Sequence, residues 1–123
     1  MLIPGNVRIH LAVQPVSLLK SIDGLCAEVQ ERFGQDPMSG HLFVFVNKRH
    51  TGVKLLYWSH GGFVLTYKRL ERGCFQMPVI RGDRVEMTFA QLTALLEGID
   101  LSRARKIPLW NPPKSLDKGS PPG

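Results

Sequence analysis

The chain has 123 residues, of which 43% are hydrophobic, and a formal net charge of +6 at pH 7. This length and composition predict one domain with a hydrophobic core. They exclude a membrane-spanning segment, because no apolar run approaches the ~20 residues that cross a bilayer. The positive charge favours an anionic partner, and nucleic acid is the usual one. The two cysteines form no CxxC pair and no secretory signal is recognisable, which predicts reduced, buried thiols in a soluble cytoplasmic protein.

The first part of the chain predicts a strand followed by a helix. Residues 7–13 alternate between apolar and polar side chains, as in a half-buried strand. Ser17 is positioned to cap a helix over residues 18–33, and Gly34 suits the left-handed conformation that ends a helix. Apolar residues at three- and four-residue steps give this helix one stripe that faces the core. The stripe consists of Leu18, Ile22, Leu25, Val29 and Phe33. The acidic residues off the stripe, Glu28 and Glu31, are expected to be solvated.

The middle of the chain predicts a meander of three or four strands. Leu42–Val46 is apolar at every position, as in a central strand covered on both faces. Short turns that contain glycine separate it from strands predicted over residues 53–58 and 63–70. Residues 73–79 form a weaker strand that meets Pro78, which places this strand at an edge. Hairpin connections make the sheet mostly antiparallel, and two helices packed on it give an α+β fold.

The last part predicts a capped helix and a tail. Thr88 and Gln91 have the spacing of a capping box, in which each side chain bonds to the backbone N–H of the other residue. The helix that follows has one apolar face and ends near Gly98. That face consists of Phe89, Leu92, Leu95, Leu96 and Ile99. We therefore predict a single domain over residues 1–101 and a basic, proline-rich, disordered tail over residues 102–123.

Residues that could carry catalysis are scattered along the chain. The four histidines lack the spacing of metal ligands, and no glycine-rich phosphate-binding loop is present. Cys74 has Arg72 nearby, but a structural thiol is the better interpretation. The carboxylates form no cluster of the kind that holds two metal ions in nucleases, although a cluster assembled from distant segments stays open. The sequence thus predicts a protein that is not an enzyme and has no catalytic residue, metal site or cofactor.

A basic constellation follows the predicted meander. Its members are the phosphate-contact candidates Lys48, Arg49, Lys54, Lys68, Arg69 and Arg72. Cations at such positions neutralise phosphates and release counterions, and the interleaved Trp58 and Tyr67 are candidates for stacking on bases. The alternative is that the two aromatic side chains pack in the core and the lysines are merely solvated. The pattern favours contact with DNA or RNA over that alternative.

Several segments together resemble a known family. They are KSIDGLCAEVQ (residues 20–30), DPMSGHLFVFVNKR (36–49), VKLLYWSHGGFVLTYKRLERGCF (53–75) and LLEGID (95–100). The sequence is similar to the accessory proteins called TnpB, which are encoded by the second reading frame of bacterial insertion sequences of family sixty-six and are distinct from the RNA-guided nuclease of that name. The resemblance implies a role in transposition beside a separate, larger transposase that carries the catalytic carboxylates. Leu19 and Ser21 depart from the family pattern, which often has Arg and Gly at these positions.

These observations lead to one functional hypothesis and one rival. The first is a non-catalytic accessory protein in DNA transposition, which contacts the transposon ends through the basic meander and acts alongside the transposase. The rival is an adaptor that binds the transposase without touching DNA. In that case exposed apolar residues such as Leu109 and Trp110 matter more than the lysines. Neither hypothesis involves a membrane, and neither fixes an oligomeric state.

Overall fold

The computed structural model describes residues 6–78 and 86–97. Within these ranges the elements are β1 (Ile9–Leu11), α1 (Ile22–Glu28), β2 (Leu42–Val46), β3 (Gly52–Ser59), β4 (Gly62–Arg69), β5 (Glu86–Met87) and α2 (Phe89–Glu97), and α1 continues into a π-helical turn over Val29–Phe33. The predicted α+β class is confirmed. The tail predicted over residues 102–123, and the domain boundary before it, lie outside the described residues. Neither described helix has the length and apolarity that crossing a bilayer requires.

The strands form one sheet in the order β4–β3–β2–β1–β5. β2, β3 and β4 follow one another as antiparallel neighbours, and β5 is antiparallel to β1, so the predicted, mostly antiparallel sheet is confirmed. The exception is the pair of β1 and β2. These strands run parallel because α1 carries the chain back along the sheet before β2 begins. This arrangement puts β2 in the middle of the sheet, where every one of its residues is buried.

Each face of the sheet has its own hydrophobic cluster. Neighbouring residues along a strand point to opposite faces, so the residues of β2 divide between the two clusters. Phe43 and Phe45 pack with Leu25 and Val29 of the first helix on what we call the α1 face. The opposite face, called the α2 face, packs against the second helix. Its buried members include Ile9, Leu11, Leu42, Val44, Val46, Val53, Leu55, Leu92 and Leu95.

The first helix starts later than the sequence predicts. It begins at Ile22 and not directly after Ser17, because Ser17 uses its hydrogen-bonding groups in a separate turn. Its carbonyl accepts a hydrogen bond from Lys20 N at 3.2 Å and its hydroxyl accepts one from Leu19 N at 3.3 Å. The prediction of Ser17 as the cap is therefore wrong. The apolar stripe is confirmed for Ile22, Leu25, Val29 and Phe33, which lie on the helical segment and pack in the α1-face cluster. Leu18 packs against the same cluster from the turn that precedes the helix. The predicted end is confirmed too, with Gly34 at φ 60°.

The second helix has the predicted capping box. Thr88 N donates to Gln91 Oε1 at 2.9 Å, and Gln91 N donates to Thr88 Oγ1 at 3.0 Å. On the predicted apolar face, Leu92 and Leu95 are buried in the α2-face cluster. Phe89, the first residue of the helix, is 56% exposed. The predicted end of the helix and the last member of its stripe lie beyond residue 97, outside the described residues.

The edge strand predicted at residues 73–79 is wrong over its described part, where the chain forms no strand. Gly73 turns the chain at φ 74°. Phe75 N then donates to His50 O at 2.6 Å, and the Phe75 ring enters the α2-face cluster. This segment is held by one backbone hydrogen bond and one buried ring, and not by the hydrogen bonds of a strand pair. The edge position beside β1 is taken by β5 instead.

Candidate nucleic-acid interface

One end of the sheet gathers most of the predicted contact residues. β2 and β4 end there and β3 begins there, and β1 also ends there because it runs parallel to β2. The segments that close this end are residues 13–20 after β1, residues 47–51 between β2 and β3, and residues 70–75 after β4. Val16 N donates to Val46 O at 3.1 Å, and Leu70 N donates to Thr51 O at 2.8 Å, so the segments are bonded to the sheet and to one another. We call this surface the turn end.

The loop between β2 and β3 is a fixed turn built around Asn47. The Asn47 side-chain oxygen accepts hydrogen bonds from Thr51 N at 2.9 Å and Gly52 N at 3.1 Å, and the side-chain nitrogen donates to Thr51 Oγ1 at 3.0 Å. His50 N donates to the Asn47 carbonyl at 3.0 Å, which makes residues 47–50 a β-turn. His50 itself has φ 58°, a left-handed conformation that directs the chain into β3. The two central residues are therefore held at the tip of a rigid loop.

Asn47→Ala is expected to destabilise the protein by about 1–3 kcal/mol, because two part-buried backbone N–H groups lose their acceptor. Asn47→Asp is the matched variant, since it keeps the accepting oxygen and loses only the donating amide. Urea unfolding of the two variants measures the difference, and Asn47→Asp is expected to be the more stable. Equal stability would contradict a turn that is held by this oxygen.

Three exposed cations of the turn end, Lys48, Arg49 and Arg72, differ from Lys20 and Arg69 in having no ion-pair partner among the described residues. Lys48 and Arg49 occupy the central positions of the β-turn, and Arg72 lies on the segment after β4 that is bonded to this turn. Within residues 6–78 and 86–97, none of these three side chains makes a hydrogen bond or an ion pair. Arg69 lies at the same end, but its guanidinium pairs with Glu71 at 3.0 Å. Both partners of that pair are solvent-exposed, so the pair is weak.

Lys54 and Lys68 are engaged inside the domain. Lys54 Nζ donates to the carbonyl of Lys20 at 2.9 Å and lies 5.4 Å from the centre of the Tyr67 ring, a cation–π contact. Lys68 Nζ donates to the carbonyl of Leu96 in α2. Strand alternation places Lys54 on the α1 face and Lys68 on the α2 face. The six cations that the sequence predicts as one basic patch are thus divided between the α1 face, the α2 face and the turn end.

Trp58 lies away from the turn end. It pairs with Phe63 beside the turn that joins β3 to β4, and the two rings meet edge to face with centroids 4.9 Å apart. Along β3 it is four residues from Lys54, a distance of about 13 Å. Tyr67 is opposite Lys54 and 52% exposed. The structure therefore does not bring the two aromatic stacking candidates together.

A network around Glu28 was not predicted from the sequence. Glu28 is buried rather than solvated, and it pairs with Arg32 and with Lys20 Nζ, the latter at 3.1 Å. The hydrogen bond from Arg32, supported by the one from Lys20, holds the pKa of Glu28 below its usual value although burial acts in the opposite direction. The Lys20 stem packs over Gly24, where a Cβ would come within 3.1 Å of it. The four-residue spacing of these residues is the signal that could have revealed the network.

The turn end also exposes apolar side chains. Leu19 is 96% exposed, and Val13 and Tyr67 are 50% and 52% exposed. The neighbouring Leu18 fixes this segment against β3, because its Cδ1 lies 2.7 Å from the place where Gly52 would carry a Cβ. Leu19 therefore projects from an anchored segment. The turn end thus exposes both cationic and apolar side chains.

The two cysteine thiols are less buried than the sequence predicts. Cys74 is exposed, so the prediction that both cysteines are buried is wrong for Cys74, and Cys26 is only half-buried. Burial, and after it the nearby Asp23 carboxylate, raises the pKa of the Cys26 thiol and so keeps it protonated. In the described part of the chain, no three His, Cys, Asp or Glu side chains gather as a metal ion would require.

The fold and the turn end together define a small basic α+β protein that exposes cationic and apolar side chains at one end of its sheet. The chain belongs to the family of IS66 Orf2-like proteins, whose family model matches residues 7–106. It is similar to two uncharacterized proteins of Sinorhizobium fredii (strain NBRC 101917 / NGR234). The protein y4jC is 33% identical over 109 residues, and y4hO is 36% identical over 110 residues; each match covers 89% of this chain and 93% of the relative. No solved structure matches the chain. The family confirms the resemblance seen in the sequence and implies an accessory role in transposition.

Proposed function

We propose that this protein is a non-catalytic accessory factor of transposition that contacts transposon-end DNA through the turn end. Family membership supplies the process. The observation that carries DNA contact is the fixed turn that presents Lys48 and Arg49 beside Arg72. Lys54, Lys68 and Arg69 add further cationic groups behind the turn, although each is hydrogen-bonded within the domain. In this proposal a separate transposase performs the strand-transfer chemistry.

The rigidity of the turn supports this assignment. Cations on a fixed loop lose less conformational freedom on binding than cations on a mobile segment, so more of their interaction with phosphate appears as affinity. Lys48 and Arg49 are adjacent in the chain and exposed, and Asn47 fixes the backbone on both sides of them. Contacts of this kind position a protein on a duplex without reading its sequence. Any preference for the transposon end must then come from base edges or DNA shape.

Fluorescence anisotropy with a labelled transposon-end duplex, measured across a salt series, tests DNA contact. The wild-type protein is expected to bind, with log affinity falling linearly as log salt concentration rises. The double variant Lys48→Ala, Arg49→Ala is expected to lower this salt slope by about 2, because two phosphate contacts are lost. A scrambled duplex of equal length separates recognition of the end sequence from charge contact alone.

Arg8→Ala provides a matched control for Arg49→Ala. Arg8 precedes β1 at the opposite end of the sheet, and among residues 6–78 and 86–97 its side chain makes one long ion pair, with Glu86 at 3.5 Å. Each substitution therefore removes one guanidinium, but only Arg49→Ala alters the turn end. We expect Arg49→Ala to weaken binding and Arg8→Ala to leave the salt slope unchanged. Equal losses would show that binding depends on net charge alone, and absence of binding at low salt would reject DNA contact.

The exposed apolar residues favour a second candidate function, an adaptor that binds the transposase without touching DNA. Leu19 is the strongest observation, because an almost wholly exposed leucine projects from an anchored segment. Pull-down of the transposase by the full chain, compared between wild type and Leu19→Ser, tests this role. Capture that is lost in Leu19→Ser and kept in the double variant at Lys48 and Arg49 would favour the adaptor. The sequence candidates for this role, Leu109 and Trp110, lie outside the described residues.

A further inference from the structure

Strand β4 forms one edge of the sheet. Its eight residues pair with β3 without a bulge, from Gly52↔Arg69 to Ser59↔Gly62. No strand in the described parts of the chain pairs with its other side. Such an edge presents a row of backbone N–H and C=O groups to a further strand, and proteins commonly block it with charged side chains, proline, bulges or a covering segment. β4 contains neither proline nor a bulge, and its two charged residues, Lys68 and Arg69, lie at its C-terminal end.

One hydrogen bond shows which residues of β4 direct their backbone N–H and C=O groups away from β3. Leu70 N donates to Thr51 O. Because hydrogen-bonded and non-hydrogen-bonded pairs alternate in an antiparallel ladder, the even-numbered residues of β4 direct their backbone groups towards β3 and the odd-numbered residues direct theirs away. The residues whose backbone groups point away from β3 are Phe63, Leu65, Tyr67 and Arg69. Thr66 lies between them near the middle of the strand, and its side chain is exposed.

We propose that β4 pairs in antiparallel register with β4 of a second copy of this chain, about a two-fold axis at Thr66. In this register Phe63 is opposite Arg69 and Leu65 is opposite Tyr67, and each pair forms twice because of the symmetry. A ring then faces a guanidinium group, and an aliphatic side chain faces a phenol ring, both of which are favourable cross-strand pairs. Thr66 is opposite its own copy.

The distribution of charge along β4 favours β4 of a second copy of this chain as the strand that pairs with this edge. The first half of the strand is apolar and the second half is cationic. Antiparallel reversal brings the apolar half of each copy against the cationic half of the other, so Lys68 is opposite Val64 and no cation is opposite another. An axis moved to Lys68 would place two lysines face to face, which is unfavourable. The axis at Thr66 therefore satisfies the edge hydrogen bonds without like-charge contact.

Sedimentation velocity on the full chain, across a wide concentration range, tests the pairing. The wild-type chain is expected to dimerise reversibly. Thr66→Lys is expected to raise the dimer dissociation constant at least tenfold, because it places two ammonium groups opposite each other across the axis. Thr66→Val is the matched control, since it keeps the β-branched shape suited to a strand and adds no charge. A wild-type chain that stays monomeric, or a dimer that Thr66→Lys leaves intact, would overturn the proposal.

Disulfide trapping locates the contact independently of affinity. In a Cys74→Ser background, Thr66→Cys is expected to form a covalent dimer under mild oxidation. Opposed residues of a non-hydrogen-bonded antiparallel pair have Cα atoms about 4.5 Å apart, within disulfide range. Gln30→Cys in the same background is the control, because Gln30 is exposed on the helical segment away from the β4 edge. Trapping no faster at residue 66 than at residue 30 would reject the pairing. Neither experiment contains DNA, so the result is independent of the proposed function.

Discussion

Phe43→Ala is expected to lower the free energy of unfolding by about 3–5 kcal/mol. Phe43 lies in the central strand β2 and is fully buried. Its ring centroid is 5.3 Å from that of His10 and 5.6 Å from that of Phe33. Loss of the ring leaves a cavity between the sheet and the first helix. The surrounding residues fill this cavity only in part, because other contacts hold both elements in place. A loss of this size is a large share of the roughly 5–15 kcal/mol that stabilises a domain.

Phe89→Ala removes the same side-chain atoms, but from an exposed position. Phe89 is 56% exposed at the start of α2, although it belongs to the predicted apolar face of this helix. Its removal is expected to change the free energy of unfolding by less than about 1 kcal/mol. Urea unfolding followed by circular dichroism measures both variants under identical conditions. Comparable losses in the two variants would contradict a core centred on β2.

The free energy of unfolding is expected to decrease as the pH falls from 7 towards 5, and His10 is the main reason. Its side chain is buried and stacks on Phe43, and its Nε2 atom has no hydrogen-bond partner among the described residues. Burial lowers the pKa of His10. The neighbouring charges act in both directions, because Glu86 opposes this shift whereas His41 and Arg8 add to it.

The direction of the pH effect follows from proton binding. Between the lowered pKa of His10 in the folded protein and its unfolded value of about 6.5, the unfolded chain binds a proton that the folded chain does not. Stability therefore increases with pH in this window, by at most about 1.4 kcal/mol per pH unit for one group. The depressed pKa of Glu28 acts in a separate, more acidic window. Its contribution is present above the usual carboxyl pKa and is lost as the pH falls through the folded value.

His10→Phe tests this assignment, because it keeps an aromatic ring beside Phe43 and removes the titrating group. Urea unfolding at closely spaced pH values is expected to show a flatter dependence between pH 7 and pH 5 than in the wild type. A packing cost of the larger ring would shift the whole curve without changing its slope. His60→Asn is the control, since His60 is an exposed turn residue at φ 49°, a conformation that Asn tolerates. An unchanged slope in His10→Phe would assign the pH dependence to another group.

Elements that depend on local chemistry could be predicted from the sequence. The observed bounds of β2 equal the predicted ones, because a short uninterrupted apolar run between turn residues suits a strand covered on both faces. Gly34 and the box of Thr88 and Gln91 mark helix ends correctly, since each acts on backbone groups of immediate neighbours. The α+β class followed from the order of these elements.

Features that depend on residues far apart in the chain could not be predicted in this way. The parallel pairing of β1 with β2 is decided by where the first helix packs. Lys68 is engaged because the fold brings the carbonyl of Leu96, 28 residues later in the chain, within hydrogen-bond distance of it. A sequence pattern shows that a side chain is charged, but not whether the fold provides it with a partner. The described structure therefore reduces six candidate cations to a smaller set without internal partners at the turn end, namely Lys48, Arg49 and Arg72.

Strand β5 and helix α2 are synthesised after strands β1 to β4. Strand β5 pairs with β1, far earlier in the chain, for example through Ile9 and Met87. A nascent chain that has been made only as far as Arg69 contains β1 to β4 but lacks the helix that packs on Val44 and Leu55. Since synthesis proceeds at about 5–20 residues per second, one face of the sheet stays uncovered for a few seconds. The yield of this protein in the cell therefore depends on how well that apolar face avoids aggregation during translation. Slower translation of residues 70–97 would prolong the exposure.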